Sequence, residues 1–337
     1  MPYLQQGLER IFNIGQRFVE SIFPQNIDYK KWFALLGASY VGWKGLKFLN
    51  FFYTNFIRPR RDLLTRYGES TWVVVVGASG GLGRAFCEAF TDAGFNIILV
   101  GRNRAKLELT AGFIRQRNSK TATRIVLTDL REAVKGPEFA EEILRQVEDL
   151  EISVLVNSVA VPDNDYFHNR TDQSLVEELT VNYFAPVFLS KKFVARFMKR
   201  AKRSAIINIS AEAGVRPTPY TVPYSPSKTF LDSFTRCFEL EVRDKIDVVS
   251  VVPDVLHTNL MFNQDYTSDA ILPENCAVAV LNSLGYETRT EGHWKHKTIA
   301  SALDSIPEGI LAKVYRRAGP HYIEWRKVQT QKTASGI

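Results

Sequence analysis

Thr71–Gly83 reads TWVVVVGASGGLG. The valines between Trp72 and Gly77 make a short, β-branched, fully apolar run, the composition of a strand buried on both faces of a parallel sheet. The glycines that follow permit a tight turn and a close approach of backbone to a pyrophosphate. Arg84–Ala93 then reads as a helix whose N-terminus offers free N–H donors and the positive end of its dipole. Strand, glycine-rich turn and helix in this order predict a phosphate-binding turn at Gly77, Ser79, Gly81, Leu82 and Gly83.

Further apolar, β-branched runs follow at Asn96–Gly101 (NIILVG), Arg124–Asp129 (RIVLTD), Ser153–Asn157 (SVLVN), Ser204–Ser210 (SAIINIS) and Asp247–Pro253 (DVVSVVP), with helical segments between them. The alternation predicts an α/β fold, a doubly wound parallel sheet of Rossmann type over residues 70–262. Residues 263–327 carry a weaker pattern and are expected to form a C-terminal substrate and lid region. The polar stretch 328–337 reads as a frayed tail.

The second run ends in Gly101-Arg102, with no Asp or Glu to receive ribose hydroxyls. Gly101 leaves room there, and the Arg102 guanidinium suits a 2′-phosphate through a bidentate, charge-assisted contact. The expected cofactor is therefore NADP(H) rather than NAD. Tyr224 and Lys228 are four residues apart at the start of a helix, on one face and one turn apart. Reduction of a carbonyl needs a proton donor, and a nearby ammonium lowers the phenol's proton affinity toward working pH.

Upstream, residues 1–30 form an amphipathic segment, with Leu4, Leu8, Ile11, Phe18 and Ile22 at helical spacing. Residues 31–62 read as a membrane anchor. Within it Trp32–Ile57 is long enough to span a bilayer and carries only Lys44 and Lys47 as charges. Lys44, Lys47, Asn50 and Thr54 line one face, which fits either an anchor lying in the membrane interface or a span whose stripe meets protein. Arg58, Arg60, Arg61 and Arg66 follow, a basic cluster that keeps the remainder on the cytoplasmic side. Ten Lys/Arg against five Asp/Glu in the first 70 residues place +5 of the net +7 there. This charge flanks an apolar stretch, so membrane lipid is the expected partner and nucleic acid is not. The basic run Lys199–Arg203 reads as a solvated loop. Cys87, Cys237 and Cys276 show no metal-ligand or CxxC spacing, so free thiols and no metal site are expected.

Taken together, these motifs resemble the short-chain dehydrogenase/reductase family. The glycine loop matches the family's Thr-Gly-x-x-x-Gly-x-Gly with Val76 in place of Thr. Asn157, Ser158, Val159 and Ala160 stand for Asn-Asn-Ala-Gly. Tyr224 and Lys228 are the Tyr-x-x-x-Lys pair, Ser210 lies fourteen residues before Tyr224, and Asn182 sits on the long interior helix. Pro253–Thr258 resembles the Pro-Gly-x-x-x-Thr segment, with Asp254 for Gly. The resemblance implies that Tyr224 is the general acid in reduction and that Lys228 lowers its pKa and holds the ribose. It further implies that Ser210 hydrogen-bonds the substrate carbonyl and that Asn182 orders a water in a proton relay. On the cofactor side it assigns Arg102 to the 2′-phosphate, Asp129 to the adenine, Asn157 to bracing the central strand beside the cofactor, and Thr258 to the nicotinamide end.

Within the family the chain is similar to the membrane-bound 17β-hydroxysteroid dehydrogenase and very-long-chain 3-oxoacyl-CoA reductase branch. The shared features are an apolar segment before the glycine loop, the run Tyr224–Glu241 and the segment Ser283–His293. This resemblance implies NADPH-dependent reduction of a ketone on a lipophilic substrate, a 3-oxoacyl-CoA or a ketosteroid, at the endoplasmic reticulum with the catalytic domain cytoplasmic. A mitochondrial membrane is the alternative location. A homodimer or membrane-complex partners are compatible with it. Rival readings are a retinol-like lipid-alcohol dehydrogenase and a non-catalytic subunit that keeps the fold.

Overall fold

The valine run is a central strand. In a computed structural model, which describes residues 28–256 and 270–335 together with 6, 9, 10, 13–15, 17 and 18, β1 (Trp72–Val76) pairs in parallel with β2 (Asn96–Gly101) on one side and β4 (Ile152–Asn157) on the other. With β3 (Thr123–Leu127), β5 (Ser204–Ile209), β6 (Ile246–Val251) and β7 (Arg289–Thr290), the described residues form a seven-stranded sheet in the order β3-β2-β1-β4-β5-β6-β7. Six of these strands coincide with the six runs read from the sequence. The two-residue β7 does not, because so short an edge strand has no periodicity to show.

Alternate side chains of the strands enter two cores. Val73, Val75, Ile97, Leu99, Val154 and Val156 face one, and Val74, Val76, Ile98, Val100 and Leu155 face the other. Burial on both faces is why these strands are apolar throughout rather than alternating.

The chain divides into two units, Met1–Pro59 and Arg60–Ile337. In the first, α1 (Tyr29–Phe52) is started by Asp28, whose carboxylate accepts the Lys31 N–H at 3.2 Å. It runs on into a π-helical turn, Tyr53–Ile57. Trp32, Leu36, Val41, Leu46 and Phe48 are all exposed, so apolar surface runs around the helix instead of along one stripe. No helix among the described residues is long and apolar enough to cross a membrane.

In the second unit, Arg66 leaves the basic cluster in which the sequence places it. Its guanidinium grips Asp247 at the start of β6, Nε to Oδ2 at 2.6 Å and Nη2 to Oδ1 at 2.8 Å, and the Tyr67 hydroxyl donates to the same carboxylate. A half-buried carboxylate needs such partners, so Arg66 braces the fold. Arg61 stacks 3.9 Å from the Tyr286 ring centroid. The expectation of a solvated loop at Lys199–Arg203 also needs correcting. Arg200 is buried against the Tyr67 carbonyl (2.6 Å) and Glu151 (2.8 Å). The stretch from residue 328, read as a frayed tail, is helical in its backbone to Ser335.

Candidate active site

The turn after β1 is built on glycine for a measurable reason. A Cβ at Gly83 would stand 2.1 Å from the Gly77 carbonyl oxygen, and Gly77 itself has φ +86° with the Ser158 carbonyl 2.3 Å from where its Cβ would be. The first turn of α3 (Gly81–Asp92) therefore presses directly onto the end of β1, with no side chain between its N–H groups and the space above. That space is a cavity of about 860 Å³. Gly77, Ser79, Gly81, Leu82 and Gly83 all line it.

At the far end of the β2 edge the cavity meets Gly101, Arg102, Lys106, Asp129 and Arg131. Arg102 stands where the sequence places it. Lys106, in α4 (Arg104–Arg117), and Arg131 add two cations that the sequence reading does not name. The signal for Lys106 is its spacing of four from Arg102; Arg131 has none. Arg131 holds the Asp129 carboxylate through Nε at 2.9 Å, and the hydrogen bonds keep that carboxyl below the usual range. Asp129 is thus an ionised, preoccupied acceptor at the cavity wall.

The four residues expected to be catalytic converge from three elements. Ser210 follows β5, and its Oγ donates to the Lys228 carbonyl at 2.6 Å. Tyr224 and Lys228 open α8 (Tyr224–Val242). Lys228 is fully buried, and its Nζ donates to the carbonyls of Ile209 (2.8 Å) and Val159 (3.1 Å). Burial brings its pKa down to about 7. Nζ lies 5.8 Å from the Tyr224 ring centroid. Burial also pushes the Tyr224 phenol well above its ordinary value, with Glu178 and Tyr322 adding to the shift. Asn182 sits in a π-helical turn, Thr180–Phe184, between α6 (Asp172–Leu179) and α7 (Ala185–Phe197). Its amide clasps Val161, accepting the N–H at 2.9 Å and donating to the carbonyl at 3.2 Å. Ser210 and Tyr224 line the cavity, while Asn182 and Lys228 support its wall from behind.

Asn157 is placed differently from a cofactor contact. It is buried, donates to the Asn208 side chain at 2.8 Å, and braces β4 to β5 without lining the cavity. Pro253–Leu256 line the cavity; Thr258 lies outside the described residues.

The remaining wall comes from the C-terminal region. Helix α11 (Glu308–Ser335) supplies Tyr315, Ala318, Gly319 and Tyr322, and Tyr220 meets it from the loop before α8. Tyr220 has φ +67°, a conformation that costs a non-glycine residue strain. Its hydroxyl donates to the Arg316 carbonyl at 3.1 Å, and its ring meets Tyr166 edge-on at 5.1 Å between centroids. Nothing in the sequence pattern marks these residues, since they meet only through packing.

Among known proteins, an inactive hydroxysteroid dehydrogenase-like protein 1 from Pongo abelii is 33% identical over 294 residues, covering 83% of this chain and 87% of that protein. Human very-long-chain 3-oxoacyl-CoA reductase is 28% identical over 269 residues, covering 77% and 84% respectively. A solved 7β-hydroxysteroid dehydrogenase shares the fold at TM-score 0.68 and 23% identity, over 76% of this chain and 99% of its own. Residues 71–268 match the short chain dehydrogenase family. With the glycine turn, the Ser210–Tyr224–Lys228 convergence and the sheet order in place, the chain belongs to that family of oxidoreductases acting on alcohol and ketone groups.

Proposed function

We propose that this protein uses NADPH to reduce a ketone on a lipophilic substrate, a 3-oxoacyl-CoA or a ketosteroid. The observation that carries the reading is that Ser210 and Tyr224 face one cavity whose further wall is tyrosine-rich and lies on α11. The cradle fits a phosphorylated dinucleotide. Gly83 and Gly77 leave no room for side chains over the helix N-terminus, and Arg102, Lys106 and Arg131 gather cations at the β2 end. When bound, the dinucleotide supplies the hydride. The protein's residues do the rest. Ser210 Oγ turns its one proton from the Lys228 carbonyl to the substrate carbonyl oxygen, Tyr224 delivers the proton that ends on that oxygen, and Lys228 in its protonated form stabilises the phenolate left behind. Asn182, clasped to Val161, is fixed to carry a water toward Lys228.

The very-long-chain 3-oxoacyl-CoA reductase relative supports the acyl-CoA substrate. The relative named inactive supports a second reading, a subunit that keeps the fold without turnover. Tyr224, Lys228, Ser210 and Asn182 favour the enzyme. Purified protein in detergent is assayed with NADPH against 3-oxoacyl-CoA esters of several lengths and a ketosteroid. NADPH binding without oxidation on any of them would leave the subunit reading in its place.

The proposed setting is a membrane, the endoplasmic reticulum first, with α1 lying in the lipid interface. Exposed Trp and Phe around α1 and Lys47 folded 3.8 Å over the Trp43 ring support that placement. Deleting residues 1–59, which spares the Arg61–Tyr286 stack, is expected to move the protein off vesicles of zwitterionic and anionic lipid in a flotation assay.

A further inference from the structure

One buried ion pair next to the reaction centre is not used by the mechanism above. Arg170, with 2% of its side chain exposed, and Glu178, with 0%, pair at 2.7 Å. Arg170 precedes α6 and Glu178 lies within it, one turn ahead of Asn182. The guanidinium is a three-way joint. Its Nη1 donates to the carbonyls of Asp163 (2.6 Å) and Val222 (3.1 Å), and its Nε donates to Ser174 Oγ at 3.0 Å and pairs with the Asp163 carboxylate. Asp163 lies between Pro162 and Asn164, which line the cavity after β4, and Val222 stands two residues before Tyr224. One side chain thus joins the segment beside the cofactor site, the segment that places the proton donor, and the helix that carries Asn182. The Glu178 carboxylate is buried between this guanidinium and the Asp163 backbone.

We propose that the buried Arg170–Glu178 pair is the positioning element of the Tyr224–Lys228 couple, with Arg170 tying the segment before Tyr224 to α6 and Glu178 setting a negative charge behind the couple. The inference rests on Tyr224 being the proton donor. The charge acts with one sign on both partners. It favours the Lys228 ammonium against the burial that lowers it, and it disfavours the Tyr224 phenolate. Glu178 itself is pushed up by burial and drawn down by Arg170, with Asp163 also facing it. Tyr322 of α11 faces Tyr224, and Glu212 and Asp254 line the same cavity. Because loss of the Glu178 charge eases deprotonation of both Lys228 and Tyr224, the alkaline limb of the reduction profile must move to lower pH.

The test compares the full chain with Glu178→Gln, Glu178→Asp and Arg170→Lys in two readouts: kcat/KM for ketone reduction, and NADPH affinity by fluorescence, each from pH 6 to 9. Glu178→Gln is expected to move the alkaline limb of both by about one pH unit toward acid. Glu178→Asp, which restores the charge, should return the limb to the wild-type position. Arg170→Lys keeps both charges but loses the fork to Val222 and Asp163. It should lower kcat about tenfold with the limb in place. Coincident limbs for Glu178→Gln and wild type overturn the proposal. Should that variant not fold, an undiminished kcat in Arg170→Lys does so. A wild-type chain that reduces no ketone sinks the reductase reading instead, while the NADPH titration still decides the role of Glu178.

Discussion

Gly83 and Gly319 face the same cavity from opposite walls, and at each a Cβ would come within 2.1 Å of a neighbour. At Gly83 the neighbour is backbone, the Gly77 carbonyl. At Gly319 it is a side chain, the ring of Tyr220. The first contact is between the turn after β1 and its own following helix, six residues apart in the chain. The second joins residues 99 positions apart. The nucleotide wall is made of main chain held by a sheet buried on both faces, so it tolerates no movement. The opposite wall, the proposed place of the substrate, is made of side chains on α11 and one strained loop, so it can be reshaped. Specificity for the ketone is therefore expected to change at the second wall while the first stays constant.

The largest effect tests the chemistry between the two walls. Tyr224→Phe removes one hydroxyl and keeps the ring, so kcat/KM should fall by about 10²–10⁴-fold, the usual worth of general acid catalysis. NADPH affinity, read by fluorescence, should stay within about threefold of wild type; a large loss there would mean the ring contacts the cofactor cradle instead. Next comes the cation end of the nucleotide wall. Arg102→Asp should weaken NADPH by about 10- to 100-fold, the worth of a charge-assisted hydrogen bond, and leave NADH nearly unchanged. Equal weakening of both would take Arg102 away from the phosphate.

The paired glycines give the smaller effects. Gly83→Ala must push α3 off Gly77 and should weaken both dinucleotides about tenfold with a loss of about 1–3 kcal/mol in stability. Gly319→Ala meets a ring that can turn aside. It should change KM for a bulky ketone severalfold, in isothermal or kinetic titration, and leave NADPH affinity untouched. If Gly319→Ala weakens NADPH as much as Gly83→Ala does, the two walls are not independent.

Much of the nucleotide wall was open to reading from residues alone. Gly77 to Gly83 are contiguous, and the constraint that makes them glycine is local. Arg102 ends a strand that its own apolar run defines. Tyr224 and Lys228 are one helical turn apart, and that spacing survives any packing. Asn157 was legible as a brace, but its lack of cavity contact was not, because the direction of a buried strand residue depends on register with β5.

The sequence alone thus determined the alternation of strands and helices, the glycine turn, the spacing of the Tyr–Lys pair and the unusually apolar α1, because each depends on neighbours within one element. Only tertiary structure decided that Arg66 grips half-buried Asp247, that Arg200 is buried against the Tyr67 carbonyl, that Lys106 and Arg131 join Arg102, that Tyr220 meets α11, and that Arg170 and Glu178 lie buried behind Tyr224. Those facts depend on which distant groups share a low-dielectric space. A charged residue looks the same in a chain whether water or a buried partner is to receive it.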